Sequence, residues 1–268
     1  MPDWDPSRLS AGTLTAWYKA DSISGSDGDS VSAWADSSGN GHNTAQAVSF
    51  RQPTLQTNEL NSKSVVRFDG SNDILSDSDI ADLDVGTGDI WMAAVFKSTD
   101  TSAEQIIFEK DHQVFGLVVA SDGDFQFRAG GPGSSNCAEQ DAGNWSRTAF
   151  VIATGARVSG SLSGFINGSA SDTTGVSNTQ SISNSNVLEI GGRAAGATGI
   201  FNGDIAEILV GGATLDTNQR QKIEGYLAHK YGLEGNLPSD HPYKSAAPGY
   251  RVQFGISSGL IDGGLIQA

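Results

Sequence analysis

The sequence predicts an all-β fold, an antiparallel sandwich of two sheets with one amphipathic helix on its C-terminal side and an extended C-terminal tail. Two observations predict this fold class. Short apolar runs alternate with turn residues along most of the chain, and the composition supplies the turns, since 34 of 268 residues are glycine and only 18% are charged. Corners between strands need residues that tolerate positive φ or bond their own backbone, as Gly, Asn, Asp and Ser do.

The predicted strands are short apolar runs of ordinary strand length, each bounded by polar corners. They are Leu14 to Tyr18, Val65 to Phe68, Ile90 to Phe96, Ile106 to Phe108, Val114 to Val119, Phe125 to Phe127, Ala149 to Ile152, Gly164 to Ile166, Val187 to Ile190 and Ile205 to Val210. The run Ile90 to Phe96 is apolar on both faces, which indicates a central strand. Asp122–Gly123 and Asn167–Gly168 are typical of hairpin turns.

One segment has helical periodicity instead of strand alternation. Its apolar side chains are Ile223, Tyr226, Leu227 and Tyr231. Asp216 is placed as an N-cap with Gln219 at the capping-box position, and Gly232 ends the helix. Because the polar face mixes acidic and basic residues, we expect the apolar stripe to dock on the sandwich and not on a membrane.

Charge and cysteine content exclude several classes of protein. A net charge of −15 and a pI near 4.4 repel a phosphate backbone, so nucleic acid is not an expected partner. No apolar run is long enough to span a bilayer, and no basic and apolar start suggests a signal peptide, so we expect synthesis in the cytoplasm. The single cysteine, Cys137, lies in a loop-like stretch and cannot form an intramolecular disulfide.

The predicted organisation is an N-terminal extension (1–11), a sandwich domain (12–233) and an extended tail (234–268). Four apolar residues in the tail are candidates for anchoring a partner. They are Leu260, Ile261, Leu265 and Ile266. A Gly-rich tail of this kind cannot form a core, and we expect it to add as a strand to a neighbouring sheet, with these side chains filling pockets.

Six short motifs follow one another along the chain. They are LTAWYKAD, GDSVSAWADSSGNGHNTAQ, RQPT, SVVRFDGSNDIL, FNGDIAEILV and QRQKIEGYLAHKYGLEGNLPSDHPYK. From Leu14 to Lys244 the chain thereby resembles the laminin-G-like, concanavalin A-like jelly-roll domains. The closing helix with its NLPSDHPYK-like stretch resembles proteins encoded by bacteriophages and by some aquatic bacteria.

The resemblance implies a calcium site as the one candidate cofactor site. Relatives hold calcium at the sandwich rim through Asp and Asn oxygens, which makes Asp36, Asp69, Asn72 and Asp73 the candidate ligands. The same residues also have a local interpretation as turn formers, which bond backbone amides at the two corners. Four tryptophans, Trp17, Trp34, Trp91 and Trp145, are candidates for sugar stacking or, more commonly, for core packing.

Signatures of catalysis are missing from the sequence, so no enzymatic activity is expected. Glucanases of this sandwich type carry an alternating Glu-x-Asp-x-Glu strand, which this chain lacks. Asp204 and Glu207 lie three apart, and on a regular strand they would point to opposite faces. The four histidines show no metal-ligand spacing.

Three functional hypotheses follow. The leading one is a non-enzymatic bacteriophage virion protein, a capsid decoration or tail-associated module at the virion surface, with other virion proteins as partners and assembly as a homo-oligomer. The alternative is a carbohydrate-binding, lectin-like adhesion module for host surface glycans. The third, a glycoside hydrolase, requires two carboxylates about 5 to 10 Å apart in a cleft.

Overall fold

The computed structural model describes residues 4–10, 12–99, 103–110, 114–130, 137–194 and 198–249. Within these ranges the chain forms two antiparallel sheets of nine and eight strands and one α-helix. The predicted fold class, a two-sheet sandwich with a single helix on the C-terminal side, is therefore confirmed. The predicted anchoring residues Leu260, Ile261, Leu265 and Ile266 lie outside the described ranges.

The strands follow one another in short segments. They are β1 (Ala16–Lys19), β2 (Ala33–Trp34), β3 (Thr44–Ala45), β4 (Thr54–Leu60), β5 (Lys63–Asp69), β6 (Leu75–Asp77), β7 (Ile90–Ser98), β8 (Gln105–Lys110), β9 (Phe115–Val119), β10 (Phe125–Ala129), β11 (Cys137–Gln140), β12 (Val151–Val158), β13 (Ser161–Ile166), β14 (Ser169–Ala170), β15 (Val176–Ser177), β16 (Leu188–Ile190) and β17 (Asn202–Gly211).

Sheet A has the strand order β14-β13-β12-β7-β17-β5-β4, and β1 and β15 pair with β17 and β13. The apolar strand β7 lies between β12 and β17, so the predicted central position is confirmed. Sheet B has the order β11-β10-β9-β8-β16-β6-β3-β2. Alternate side chains of both sheets, among them Phe96, Phe108 and Phe127, pack between the sheets in one core.

Both predicted hairpin turns are present. Asp122 and Gly123 connect β9 to β10, and Gly123 has a φ of 93°. Asn167 and Gly168 connect β13 to β14, with φ values of 52° and 80°. In the second turn, positive φ at both Asn167 and Gly168 fits the right-handed twist of the strands, which explains why the sequence has Asn-Gly there. Cys137, in contrast, was expected in a loop and begins strand β11, where it is buried.

Helix α1 (Thr217–Tyr231) has the predicted caps. Asp216 accepts a hydrogen bond from the Gln219 amide, the Gln219 side chain accepts one from the Asp216 amide, and Gly232 ends the helix at a φ of 69°. Ile223 and Leu227 are fully buried against the outer face of sheet A, as the apolar stripe predicts. In the described part of the chain, no helix has the length and apolar character that a membrane span needs.

Residues 234 to 249 pack against α1. Leu237 is buried, and the His241 ring lies 3.1 Å from the buried carboxylate of Glu224. Gly225 faces Tyr243 and Pro248 so closely that a Cβ there would lie 2.4 Å from the Tyr243 side chain. At the other end of the described chain, the Trp4 ring packs edge-on against Tyr226 at 6.4 Å. The first part of the predicted tail therefore lies on the domain.

Candidate functional site

An open cavity of about 480 Å³ lies at the end of sheet A where β5 ends and β17 begins. We call it the Phe50 cavity. Side chains from four regions line it: the turn Ser49–Arg51, strands β4 and β5, the loop Asp69 to Asp73, and the strand ends of β7 and β17. This volume lies within the range typical of small-molecule sites.

The floor of the Phe50 cavity is a row of charges across three neighbouring strands. Asp204 of β17 pairs in register with Arg67 of β5 on one side and Lys97 of β7 on the other. Arg67 donates two hydrogen bonds to the Asp204 carboxylate, at 2.6 and 2.8 Å, and Lys97 Nζ lies 2.9 Å from it. Asp204 is 1% exposed, and these charge-assisted bonds orient both cations toward its buried carboxylate.

The rim of the cavity carries an exposed aromatic ring. Phe50 is 70% exposed, and the neighbouring Val48 is 40% exposed. Phe50 is the one large aromatic side chain that is exposed among the described residues. The Arg51 guanidinium lies 5.9 Å from its ring centre. Sequence reasoning missed Phe50; the available signal was a single aromatic residue in a polar stretch without apolar periodicity.

The loop Asp69 to Asp73 forms one wall of the cavity and contains three of the four predicted metal ligands. Asp69 Oδ1 accepts the amides of Ser71 and Asn72, and Asp73 Oδ2 accepts the amide of Asp69 at 3.0 Å. Asn72 Oδ1 is buried and has no hydrogen-bond partner among the described residues. Burial raises the pKa of Asp73 from 3.8 to about 6.

The fourth predicted ligand, Asp36, lies in a different part of the molecule. It pairs with Tyr18, which aligns with Ile208 of β17, whereas Asp69 aligns with Asn202. Six residues along a strand separate the two sites by about 20 Å. The Asp36 carboxylate accepts backbone amides of Trp17, Ser38, Gly41 and His42. The structure thus brings Asp69, Asn72 and Asp73 together and leaves Asp36 as a turn former.

A different set of acidic side chains converges elsewhere. Of the residues that the structure describes, Asp124, Glu139 and Asp141 place one carboxylate oxygen each within 4.8 Å of the others. Glu139 also accepts a hydrogen bond from Gln126, and Asp124 accepts the Ala142 amide. Both contacts serve local structure. Calcium binding by the predicted ligands remains a prediction.

The tryptophans serve the core. Trp17, Trp34 and Trp91 are at most 5% exposed, and the half-buried Trp145 packs edge-on against Phe96 and Phe125. Core packing, the more common role of such residues, therefore describes Trp17, Trp34 and Trp91. The thiol of Cys137 is also buried, and this burial, together with the neighbouring Glu139, raises its pKa to about 12. At neutral pH it is protonated and therefore not a nucleophile.

The carboxylates of Asp204 and Glu207 were expected on opposite faces of β17, but they lie on the same face. The register of β17 against β7 shifts between Ile205 and Glu207, which inserts one extra residue and turns Glu207 to the side of Asp204. Glu207 is fully buried and accepts hydrogen bonds from Trp17 Nε1 at 2.6 Å and from Lys230 and Tyr231 at 2.7 Å. Both carboxylates are therefore structural ion-pair partners.

Another carboxylate pair lies on the outer face of sheet B. Glu109 of β8 and Glu189 of β16 are direct cross-strand partners. Arg193 binds both oxygens of Glu109 at 2.6 Å, and Glu109 is 2% exposed. Burial raises the pKa of Glu189, whose carboxylate accepts the Ala194 amide. A substrate has no access to Glu109 in this arrangement.

Comparison with known proteins identifies a family. A family model described as the concanavalin A-like lectin/glucanases superfamily matches residues 68–219. No curated protein is significantly similar to the sequence. Among solved structures, a Trypanosoma rangeli sialidase in complex with sialic acid is 12% identical, with a TM-score of 0.59 over 82% of this chain and 33% of the sialidase chain.

The chain thus spans about a third of the length of the sialidase that it matches. At 12% identity, this likeness shows a shared fold and does not transfer the activity of the sialidase. Domain 4 of an extracellular arabinanase from Geobacillus stearothermophilus, in complex with arabinotriose, is 13% identical over 77% of this chain and 96% of that domain, with a TM-score of 0.49.

Proposed function

This chain belongs to the concanavalin A-like lectin/glucanase superfamily, and from that premise we propose that it is a carbohydrate-binding module that holds a glycan in the Phe50 cavity. The observation that carries the proposal is the exposed Phe50 ring beside a cavity with fixed polar groups. An isolated apolar surface residue needs no explanation, but an aromatic ring at the mouth of a polar cavity is typical of a binding site.

The chemistry of the cavity suits a sugar. A pyranose or furanose ring has a face of C–H groups that packs on an aromatic ring, and hydroxyls at its edge that need hydrogen-bond partners. Phe50 offers the ring at the rim. Arg67, Asp69 and Asn202 offer donors and acceptors inside the cavity.

The polar groups are held in position before a ligand arrives. The side chain of Arg67 is anchored by Asp204 and Glu59, and Asp69 is anchored by two backbone amides of its own loop. Groups that are already ordered lose little conformational entropy on binding, which favours affinity. We infer that the role is binding without catalysis. Of the three carboxylates that line the cavity, Asp204 is buried and paired with Arg67 and Lys97, and Asp69 and Asp73 accept backbone amides of their own loop.

The virion role expected from the sequence has no support among the comparisons, which favour the glycan-binding alternative. Its proposed anchors lie outside the described residues. The virion location, the virion partners and homo-oligomeric assembly therefore remain predictions. A glycan-binding module is compatible with a place in a larger assembly, because the fold alone does not determine where a module is used.

The test compares three proteins on a glycan array, followed by isothermal titration calorimetry with the bound glycans. The native protein is expected to bind, and Phe50→Ala to bind about tenfold more weakly, which corresponds to 1.4 kcal/mol. Val187→Ala is the matched control, since Val187 is 44% exposed and does not line the cavity. Absence of binding by the native protein, or equal binding by Phe50→Ala, would overturn the proposal.

A further inference from the structure

A second cavity, of about 550 Å³, adjoins the Phe50 cavity on the other side of the Asp69 to Asp73 loop. We call it the Ser71 cavity. Gly70 and Ser71 line it on one side, and Arg193 and Thr198 on the other. Asn202 lines both cavities. The two cavities therefore meet at Asn202, which Gly70 contacts.

The Asn202 side chain packs directly against Gly70, which is possible because Gly70 has no side chain. Gly70 has a φ of 75°, and a Cβ at this position would lie 2.7 Å from Asn202 Cβ. The backbone of Asn202 is fixed by a bond from its amide to Gln105 and by two bonds that its carbonyl accepts from Thr99. Within the described ranges the side-chain amide of Asn202 has no hydrogen-bond partner, so it can bond a ligand that occupies both cavities.

We propose that the two cavities form one extended site for a neutral oligosaccharide chain, which passes over Gly70 beside Asn202 and fills both. This inference rests on the proposed function and adds the class of ligand. One sugar stacks on Phe50, the next bonds the Asn202 amide, and later sugars lie in the Ser71 cavity. A single cavity would favour a monosaccharide or a chain end; two joined cavities favour several sugars of one chain.

The charges of the two cavities favour a neutral chain over an acidic one. Every cation that lines them is already paired: Arg67 and Lys97 with Asp204 and Glu59, and Arg193 with Glu109 and with the carboxylate of Glu104 at 2.8 Å. Asp69 and Asp73 add negative charge, and the ion pairs of the described residues give neither of them a cation. An acidic sugar would meet net negative charge in a molecule of net charge −15.

The experiment is a chain-length series in isothermal titration calorimetry. The probes are neutral β-1,3-gluco-, β-1,4-xylo- and α-1,5-arabino-oligosaccharides of two, four and six sugars, and oligogalacturonides of the same lengths. We expect at least one neutral series to bind, with affinity that rises about tenfold or more from two to six sugars, and the oligogalacturonides to bind more weakly than that series.

Variants of the Ser71 cavity separate this inference from the proposed function. Ser71→Leu and Thr198→Leu add bulk without an aromatic ring on which a sugar could stack. Each is expected to lower the affinity for six sugars to nearly that for two, and to leave the binding of two sugars within about twofold. Val187→Leu is the matched control at an exposed apolar position.

The outcomes distinguish the two claims. If two sugars bind as tightly as six, if both Leu variants leave the binding of six sugars unchanged, or if oligogalacturonides bind more tightly than neutral chains, the extended neutral site is wrong while carbohydrate binding stands. If no probe binds and the glycan array is also negative, both claims fail. Circular dichroism and melting curves of each variant exclude loss of the fold as the cause.

Discussion

The carboxyl group of Asp73 is expected to destabilise the fold at neutral pH. The residue is 5% exposed, and burial raises its pKa from 3.8 to about 6. Its Oδ2 atom accepts the Asp69 amide, a bond that an asparagine oxygen can also accept. Replacing Asp73 by Asn therefore keeps the shape and the hydrogen bond of the loop and removes the ionisable group.

The sign and size of the expected change in stability follow from the raised pKa of Asp73. Folded Asp73 keeps its proton up to about pH 6, whereas the unfolded chain loses it near pH 3.8, so the folded state binds more protons between these values. Stability of the native protein therefore falls as the pH rises through this window. The full shift corresponds to about 3 kcal/mol. Asp73 lines an open cavity, and solvent exposure of this kind screens part of the charge, so we expect Asp73→Asn to stabilise the protein by about 1 to 3 kcal/mol at pH 7.5.

Urea unfolding of native protein and Asp73→Asn at a series of pH values from 3.5 to 8 measures this difference. The gain in the free energy of unfolding should be near zero at the acid end and reach its maximum above pH 7. Asp240→Asn, at an exposed residue, is the control and should change stability by less than about 0.5 kcal/mol at every pH. A gain that does not vary with pH, or a loss at pH 7.5, would refute the reasoning.

Three further predictions concern other parts of the chain. Glu207→Gln removes the buried partner of Lys230 and should lower the free energy of unfolding by about 3 kcal/mol, whereas Asp82→Asn, at a carboxylate whose side chain is 73% exposed, should change it by less than about 0.5 kcal/mol. If Asp69 and Asp73 hold calcium, millimolar calcium should raise the melting temperature of the native protein and leave that of Asp73→Asn unchanged. A melting temperature of the native protein that does not rise with calcium contradicts the calcium site. If the C-terminal residues anchor the chain to a virion, full-length protein should co-sediment with particles that lack it, and a chain that ends at Pro248 should not.

Features that depend on neighbouring residues were predictable from the sequence. The helix caps at Asp216 and Gly232 and the turn at Asn167–Gly168 are set by local backbone geometry, and all are present in the structure. The central position of β7 was also predictable, because a strand that is apolar on both faces must be covered on both.

The candidate site was not predictable, because it depends on contacts between distant segments. Arg67, Lys97 and Asp204 meet only through the pairing of β5, β7 and β17. The irregularity before Glu207 changes the face of that residue and has no signature in the sequence. Phe50 resembles any isolated aromatic residue until the fold shows that no other segment of the described ranges covers it.

The contacts of Trp4 with Tyr226 and of Pro248 with Gly225 have a consequence for how this domain can be displayed. Both ends of the described chain reach adjacent residues of one helix, which packs on sheet A near Trp17 and Leu209. The Phe50 cavity begins at Asp204, about 15 Å farther along β17. The two ends of the described chain therefore lie side by side on one helix, on the same face of sheet A as Asp204, so a tether joined at Trp4 or at Pro248 would hold the domain at one point of that face.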